Sequence, residues 1–263
     1  MKKFLVALMA VLMVVMPIFA QGSKEEAVKV EDTEILVAAA ASLRYAYEDE
    51  LIPMFESQNP GVKVVGTYDS SGKLQKQIEA GLEADVFMSA SPKQMNALIG
   101  EELIAADTKV DLLENRIVLI VPAGNEFGLR EFSDISKVDA IALGDPRSVP
   151  VGQYSHEALT SLGLWDEIQD KLSLGTNVTE VLNQVAAGSA DAGIVYMTDA
   201  MQKKGEIDVI AEAPAGSLSK KVIYPVAVTA GTSHKAEAQA FVDFLQSPEA
   251  MEVFVKYGFA SNV

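Results

Sequence analysis

The sequence predicts an α/β fold in which two doubly wound lobes are joined by a two-segment hinge, with a ligand cleft between them. Short apolar strands alternate with helical patterns along most of the chain, which favours sheets covered by helices on both faces. The alternation falls into two series, and no Pro/Gly/Ser-rich linker separates them. The composition, 49% hydrophobic and 22% charged over 263 residues, is sufficient for one large or two medium globular domains.

Residues 1–20 are predicted to be a secretory signal peptide. A basic start at Met1–Lys3 precedes an apolar run from Phe4 to Ala20, and a polar segment follows at once. The alternative is a membrane anchor, because a run of about 17 apolar residues is at the short end for spanning a bilayer. We expect an exported, periplasmic or otherwise extracytoplasmic protein, with residues 21–33 forming a disordered mature N-terminus.

The first series of elements predicts the order β-α-β-α-β-α. Glu34–Ala41 is an apolar strand, and the helix after it carries apolar residues at helical spacing. Pro53 is expected to kink that helix or end it. The remaining predicted elements are a strand at 62–66, a helix at Lys73–Ala80, a strand at Asp85–Ser89 and a helix after Ser91-Pro92. Such short connections are typical of a parallel sheet.

The second series begins with the apolar strand Arg116–Val121. The later predicted elements are strands at Ala140–Gly144, Ala192–Tyr196, Ile207–Ile210 and Val222–Thr229, helices at Val151–Leu162 and Val178–Ala187, and a helical C-terminus. We expect residues 34–113 with 230–263 to form lobe 1 and residues 114–229 to form lobe 2. Extended chain near Asp111–Arg116 and near Tyr224–Thr232 is expected to join the lobes.

Charge and cysteine content exclude several classes of partner. The chain has 37 acidic and 21 basic residues, a formal net charge of −16, which argues against nucleic acid and against an anionic membrane surface. It has no cysteine, so a lipid-modified cysteine is not expected to anchor it.

Hydroxyl and amide donors stand where predicted strands pass into helices. Ser42 follows the first strand, Ser70-Ser71-Gly72 precedes the next helix, and Tyr196 ends a later strand. In lobe 2, residues 144–152 and Thr176-Asn177-Val178 each lead into a helix. Helix N-termini carry free N–H groups that bind anions, so these donors indicate an anion site. The alternative is that the serines are only helix N-caps, each worth about 1 kcal/mol.

Signals of an enzyme are absent from the sequence. The two histidines, His156 and His234, are expected at the surface, and neither has metal-ligand spacing to other residues. No nucleophile-elbow or phosphate-loop motif is present. A serine-dependent enzyme on the same two-lobed scaffold, with Ser42 or Ser71 as nucleophile, is therefore a less favoured alternative, since neither histidine lies in a proposed loop.

Six segments in order resemble the periplasmic molybdate-binding proteins of ATP-driven uptake systems. They are Ala39–Leu43, Ser70–Leu74, 144–154, 193–200, Tyr224–Val228 and Lys256–Phe259. Together they extend over nearly all of the chain after the predicted signal peptide. The resemblance implies a solute-binding protein of the type II class that closes on molybdate, and on tungstate, and delivers it to a membrane ABC permease. It also implies a monomer without a cofactor.

The resemblance further implies a set of ligand contacts. These are the hydroxyls of Ser42 and Ser71, the backbone amides of Val151 and Val178, and the phenol of Tyr196, so metal is held only as an oxyanion. Position 151 is often alanine in this family, but an amide donor is indifferent to the larger side chain.

A site made only of neutral donors suits a fully ionised dianion, whose oxygens only accept hydrogen bonds. Asp69 and Asp145 flank the proposed loops. If either carboxylate points inward, a protonated phosphate becomes the better ligand, whereas turn carboxylates that cap backbone amides would leave the site to molybdate. Sulfate or another small tetrahedral oxyanion is the alternative ligand.

Overall fold

The computed structural model describes residues 33–263, so the predicted signal peptide and residues 21–32 of the predicted disordered segment lie outside the described residues. The strands are β1 Thr33–Ala40, β2 Val62–Asp69, β3 Val86–Met88, β4 Val110–Asn115, β5 Ile117–Pro122, β6 Ile141–Gly144, β7 Leu172–Gly175, β8 Ala192–Tyr196, β9 Ile207–Glu212, β10 Val222–Val228 and β11 Ala260–Ser261.

The α-helices are α1 Arg44–Ala46, α2 Ile52–Gln58, α3 Ser71–Glu79, α4 Pro92–Gly100, α5 Pro150–Ser161, α6 Trp165–Ile168, α7 Val178–Ala186, α8 Met197–Gln202, α9 Lys235–Phe244 and α10 Pro248–Lys256. Short 3₁₀ helices occupy Ala41–Leu43, Ala106–Thr108, Phe132–Lys137 and Gln169–Lys171, and a π-helix occupies Tyr47–Leu51. No helix within residues 33–263 is both long enough and apolar enough to cross a bilayer.

The strands form two mixed sheets, which confirms the predicted two-lobed α/β architecture. The first sheet has the order β11-β4-β10-β3-β1-β2 and the second has the order β7-β6-β8-β5-β9. In the first, β1 is parallel to β2 and β3, whereas β10 is antiparallel to β3 and β4. In the second, β6 is parallel to β7 and β8, whereas β5 is antiparallel to β8 and β9. We call the first sheet with its helices lobe 1 and the second lobe 2.

The chain crosses between the sheets twice, and the second crossing differs from the prediction. The first crossing is at Arg116, between β4 and β5, within the predicted segment. The return lies at residues 213–221, between β9 and β10, rather than at Tyr224–Thr232. Strand β10 therefore belongs to lobe 1, which corrects the predicted assignment of residues 222–228 to lobe 2. The apolar pattern of this segment predicts a strand but does not say which sheet supplies its partners.

The helix after β1 continues through Pro53, contrary to the predicted kink or end. Residues 44–58 are helical throughout, and the π-helix Tyr47–Leu51 directly precedes α2. Pro53 lies in the first turn of α2. Proline lacks the N–H of an ordinary i→i−4 bond, and directly before it the Ile52 N–H bonds to the Tyr47 carbonyl in the i→i−5 register of the π-helix. The wider π turn replaces the ordinary hydrogen-bond register at this point.

Helices cover both faces of the first sheet and fix the loops that follow its strands. On one face Phe241 of α9 packs edge-on against Phe55 of α2, with ring centroids 5.0 Å apart, and against Tyr47 at 5.9 Å. On the other face, Leu74 of α3 and Met95 of α4 are fully buried against the sheet. Burial of each large apolar side chain stabilises the fold by roughly 1.5–3 kcal/mol. The loops carrying Ser42 and Ser71 are thus held on a rigid base.

Candidate functional site

A small cavity lies between the two lobes, where strands end and helices begin. All five predicted contact residues line it: Ser42 and Ser71 from lobe 1, and Val151, Val178 and Tyr196 from lobe 2. The cavity volume is about 10 Å³, close to the space that one water-sized sphere occupies. Pockets for drug-sized molecules are typically about 300–1,000 Å³, so this cavity is far too small for a ligand of that size.

The two serine hydroxyls of lobe 1 are not helix caps. Ser42 lies inside the 3₁₀ helix after β1, and its Oγ is 2.9 Å from Tyr224 Oη. Ser71 is the first residue of α3, is fully buried, and its Oγ accepts a hydrogen bond from the Ala90 amide at 2.9 Å. The alternative reading of both serines as plain N-caps is therefore wrong. Because Ser71 Oγ already accepts a bond, its own proton is left to donate.

Two helix N-termini of lobe 2 bring backbone amides to the cavity. Helix α5 begins at Pro150 and α7 at Val178, so the Val151 and Val178 amides lie in first turns, where no carbonyl of the same helix can accept from them. Asn177 caps α7 by accepting from Glu180 N at 3.0 Å. A Cβ on Gly152 would lie 2.0 Å from the Gly144 carbonyl oxygen, so the first turn of α5 packs directly on the end of β6.

Tyr196 supplies a phenol at the end of β8. The side chain is 1% exposed, and its Oη has no hydrogen-bond partner within residues 33–263. Its ring packs edge-on against Tyr224, with centroids 5.6 Å apart. Burial raises the pKa of Tyr196 well above its usual value, so the phenol stays protonated and can donate. A buried polar atom without a hydrogen-bond partner destabilises the fold, so Tyr196 Oη is a candidate ligand contact.

The lobes touch directly beside the cavity. The Gly72 amide of α3 donates to the Ser148 carbonyl of lobe 2 at 3.0 Å. A Cβ on residue 72 would lie 2.2 Å from that same carbonyl oxygen. Only glycine allows the two backbones to approach this closely. The structure is therefore a closed arrangement of the two lobes.

The two acidic residues that flank the site are both engaged by other groups. Asp145 is bound by the guanidinium of Arg147, which lowers the pKa of Asp145, and it is not among the residues lining the cavity. Asp69 does line the cavity. Its carboxylate accepts from the Ser70 amide at 2.7 Å and from Lys73 Nζ and Asn177 Nδ2 at 3.3 Å each. Three donors thus engage the carboxylate of Asp69, as in the turn-cap alternative, and occupy three of its roughly four acceptor positions.

A model of the bacterial extracellular solute-binding proteins matches residues 35–260. The chain belongs to this family. It is 40% identical over 98% of its length to YvgL of Bacillus subtilis (strain 168), assigned as an ABC transporter substrate-binding lipoprotein, and covers 97% of that protein. It is 39% identical to the molybdate-binding protein ModA of Escherichia coli (strain K12), covering 87% of this chain and 90% of ModA.

A solved structure gives the same result for the fold. This is a substrate-binding domain from Clostridium difficile assigned to a molybdenum ABC transporter, with a TM-score of 0.68 at 35% identity over 87% of this chain and 99% of that one. The predicted resemblance and the two-lobed fold of a type II solute-binding protein are both confirmed. Substrate-binding proteins of ABC importers act outside the cytoplasm, and this chain is extracytoplasmic accordingly.

The histidines of this solute-binding protein lie away from the cavity. His156 is exposed on α5 and packs against Trp165, with ring centroids 4.3 Å apart. His234 is partly buried, with Nδ1 3.3 Å from Asp85 Oδ1, so it is less exposed than predicted. Neither lines the cavity, and Ser42 and Ser71 therefore have no imidazole base there. Within residues 33–263 no group of three or more His, Cys, Asp or Glu side chains is placed to hold a metal ion.

Ser70 also lines the cavity, although the predicted set of contacts includes only Ser71 from the Ser70-Ser71 pair. Its side chain is 3% exposed, lines the cavity, and has an Oγ without a hydrogen-bond partner within the part of the chain that the structure describes. It occupies the N-cap position of α3 but makes no capping bond. The tandem Ser70-Ser71 was the available signal, but a serine before a helix normally predicts a cap.

Proposed function

We propose that this solute-binding protein captures molybdate, and tungstate with the same charge and shape, and delivers it to a membrane ABC permease. The observation that carries the proposal is the convergence of donors on one small cavity. Hydroxyls of Ser42, Ser71 and Tyr196 and the first-turn amides of Val151 and Val178 come from opposite lobes. The similarity to ModA over most of the chain supports the same ligand class.

Neutral donors fit this ligand. Molybdate is a dianion at neutral pH, and all of its oxygens accept hydrogen bonds, so every contact with it must be a donor. Helix N-termini add partial positive charge where the amides point. The hydroxyl of Ser70, buried and unpartnered, is a sixth candidate donor.

The charges around the cavity favour a fully ionised ligand over a protonated one. A hydrogen phosphate carries an O–H that needs an acceptor in the site. The carboxylate of Asp69 is the acidic group at the wall, and the Ser70 amide, Lys73 and Asn177 already donate to it. These donors compete with a ligand proton for the acceptor positions of this carboxylate, which supports a ligand without protons.

The proposed protein is a monomeric carrier that no lipid anchors to a membrane. The protein acts as a carrier and not as an enzyme, since neither histidine lines the cavity beside the serines. We propose a monomer whose lobe 1 comprises residues 34–115 with 222–263 and whose lobe 2 comprises most of residues 116–221. The absence of cysteine from the 263 residues supports a protein that no lipidated cysteine anchors, in contrast to the lipoprotein assignment of YvgL.

Calorimetric titration of the purified exported protein with molybdate, tungstate, sulfate and phosphate tests the proposal. We expect tight binding of molybdate and tungstate, weak binding of sulfate and weaker binding of phosphate. Ser57→Ala, at an exposed serine outside the cavity, is the matched control for serine substitutions within it. Displacement of bound molybdate by an equal concentration of sulfate would overturn the assignment of the ligand.

A further inference from the structure

A buried chain of hydrogen bonds lies behind the cavity and ends on Ser42. Ser42 Oγ is 2.9 Å from Tyr224 Oη, and Asn115 Nδ2 donates to the same Oη at 3.2 Å. Asn115 Nδ2 also donates to Thr198 Oγ1 at 3.0 Å. Tyr224, Asn115 and Thr198 are at most 3% exposed, and none of them lines the cavity. The hydrogen bonds of these residues therefore reach the cavity through Ser42, and the Tyr224 ring also packs against Tyr196.

The orientation of the Asn115 side chain is fixed. Its Oδ1 accepts a hydrogen bond from the Arg116 amide at 2.8 Å, which places the carbonyl end of the side-chain amide on that side. The opposite end, Nδ2, has two hydrogens, and its two acceptors are Tyr224 Oη and Thr198 Oγ1. Toward Tyr224, Asn115 is therefore a donor and not an acceptor.

The direction of the next bond follows from this. Tyr224 Oη already accepts from Asn115, and its own proton needs an acceptor because the phenol is completely buried. Ser42 Oγ is the acceptor within reach. Burial raises the pKa of Tyr224 well above its usual value, so the phenol keeps its proton. The reverse direction, with Ser42 donating, would leave a buried phenol proton unpaired.

The hydroxyls of the two serines of lobe 1 consequently have the same hydrogen-bonding state. Ser71 Oγ accepts from the Ala90 amide and Ser42 Oγ accepts from Tyr224, so each hydroxyl keeps its own proton for the cavity and has one of its two lone pairs occupied. We propose that Asn115 and Tyr224 are positioning residues that direct the Ser42 proton toward the cavity, and that this arrangement disfavours oxyanions that carry a proton. The proposal rests on the oxyanion-binding function and adds the residues that set its selectivity.

The position of Asn115 links the Asn115–Tyr224–Ser42 hydrogen bonds to the closed form of the protein. Asn115 ends β4, directly before the first crossing between the lobes, and Thr198 belongs to α8, which follows β8 of lobe 2. The amide that orients Tyr224 is thus bonded to side chains of both lobes. All the hydrogen bonds that set the direction of the Tyr224–Ser42 bond are formed when the lobes have the relative position seen in this structure.

Tyr224→Phe tests the proposal because it removes only the hydroxyl and keeps the ring that packs against Tyr196 and Phe259. Affinities for molybdate, sulfate and phosphate are measured at pH 6, where phosphate is mainly a protonated monoanion. In the variant, Ser42 is free to accept as well as to donate. We expect the molybdate-to-phosphate affinity ratio to fall about tenfold or more, a change of the size that one charge-assisted hydrogen bond produces.

Sulfate serves as an internal reference, since it is a dianion without protons. The molybdate-to-sulfate ratio should stay within about twofold of the native ratio, because both ligands lose the same donor orientation. A merely structural loss would weaken all three ligands together. Tyr47→Phe is the matched control: Tyr47 is fully buried, its hydroxyl donates to Met88 Sδ at 2.9 Å, and it does not line the cavity.

An unchanged molybdate-to-phosphate ratio in a Tyr224→Phe protein that still binds molybdate would refute the positioning role and leave the proposed function intact. Failure of the native protein to bind molybdate would instead refute the proposed function. Should Tyr224→Phe not fold, as judged by circular dichroism, Asn115→Leu removes the donor that orients Tyr224 without adding charge. It must give the same fall in the molybdate-to-phosphate ratio, and a native ratio there equally refutes the role.

Discussion

Substitution of Gly72 by alanine should weaken ligand binding without lowering the stability of the unliganded protein. The Cβ of an alanine would lie 2.2 Å from the Ser148 carbonyl oxygen and 2.8 Å from its carbon. Carbon and oxygen atoms normally approach to about 3.3 Å, so the lobes must part by roughly 1 Å at this point. The Gly72–Ser148 hydrogen bond, 3.0 Å long, lengthens by the same amount.

Such a displacement is large compared with the tolerance of the proposed site. Hydrogen bonds lose most of their strength beyond about 3.2–3.5 Å, and the ligand is held by donors on both lobes. Loss of two bonds to a charged ligand, at about 1.5–3 kcal/mol each, weakens binding by about 3 kcal/mol or more. That is at least about a hundredfold increase in Kd.

The unliganded protein should not lose stability in the same way. Gly72 lies within α3, where alanine is the better helix former by up to about 1 kcal/mol. We expect an unchanged or higher unfolding temperature without ligand, and a much smaller increase when molybdate is added. Titration calorimetry and thermal unfolding measure the two effects on one preparation.

Gly100→Ala is the matched control. Gly100 ends α4, and a Cβ there meets no atom within 4 Å. It should retain native affinity. If Gly72→Ala also bound molybdate with native affinity, then close approach of the lobes at this residue would not be needed for binding, and the argument from the closed arrangement would be wrong.

Three further outcomes are expected. Ser71→Ala should weaken molybdate binding by about 1.5–3 kcal/mol in calorimetry and also lower the unfolding temperature, because the Ala90 amide loses its acceptor; an unchanged Kd would remove Ser71 from the site. Burial raises the pKa of Asp199 to about 8 from 3.8, so its stabilising effect is complete below pH 3.8 and is lost as the pH rises toward 8. Between pH 5 and 7 the free energy of unfolding, measured with denaturant, should therefore fall with rising pH by up to about 1.4 kcal/mol per pH unit more in the native protein than in Asp199→Asn. Equal slopes in the two proteins would contradict a neutral buried carboxyl. The Kd for molybdate should change less than about threefold between about 50 and 500 mM NaCl, since neutral donors and not the net charge of −16 hold the ligand; a steep loss of affinity with salt would refute the neutral-donor site.

Much of the donor set is predictable because it depends on local sequence. Ser42, Ser71, Val151, Val178 and Tyr196 each stand within a few residues of a junction between a strand and a helix, and the structure brings all five to one cavity. An anion site at helix N-termini follows from that placement and from elementary electrostatics. Their role in binding stays a prediction.

The parts that could not be predicted depend on contacts distant in the sequence. Tyr224 is 182 residues from Ser42 and 109 residues from Asn115 along the chain, and nothing in the local pattern of β10 pairs it with either residue. The same reason explains the misplaced return crossing, since alternating apolar residues specify a strand but not its neighbours. Pro53 was misjudged because a π turn is not visible in an apolar pattern.

The backbone contact between Gly72 and Ser148 also has a kinetic consequence. Helix α3 lies directly against the opposite lobe, so the lobes cannot part without breaking this contact. Release of an ion held by donors of both lobes is then linked to the opening of the lobes, and the residence time reports that movement as well as the strength of each bond. Opening must break the amide-to-carbonyl bond together with the Asp69–Asn177 and Asn115–Thr198 bonds, which also join the two lobes.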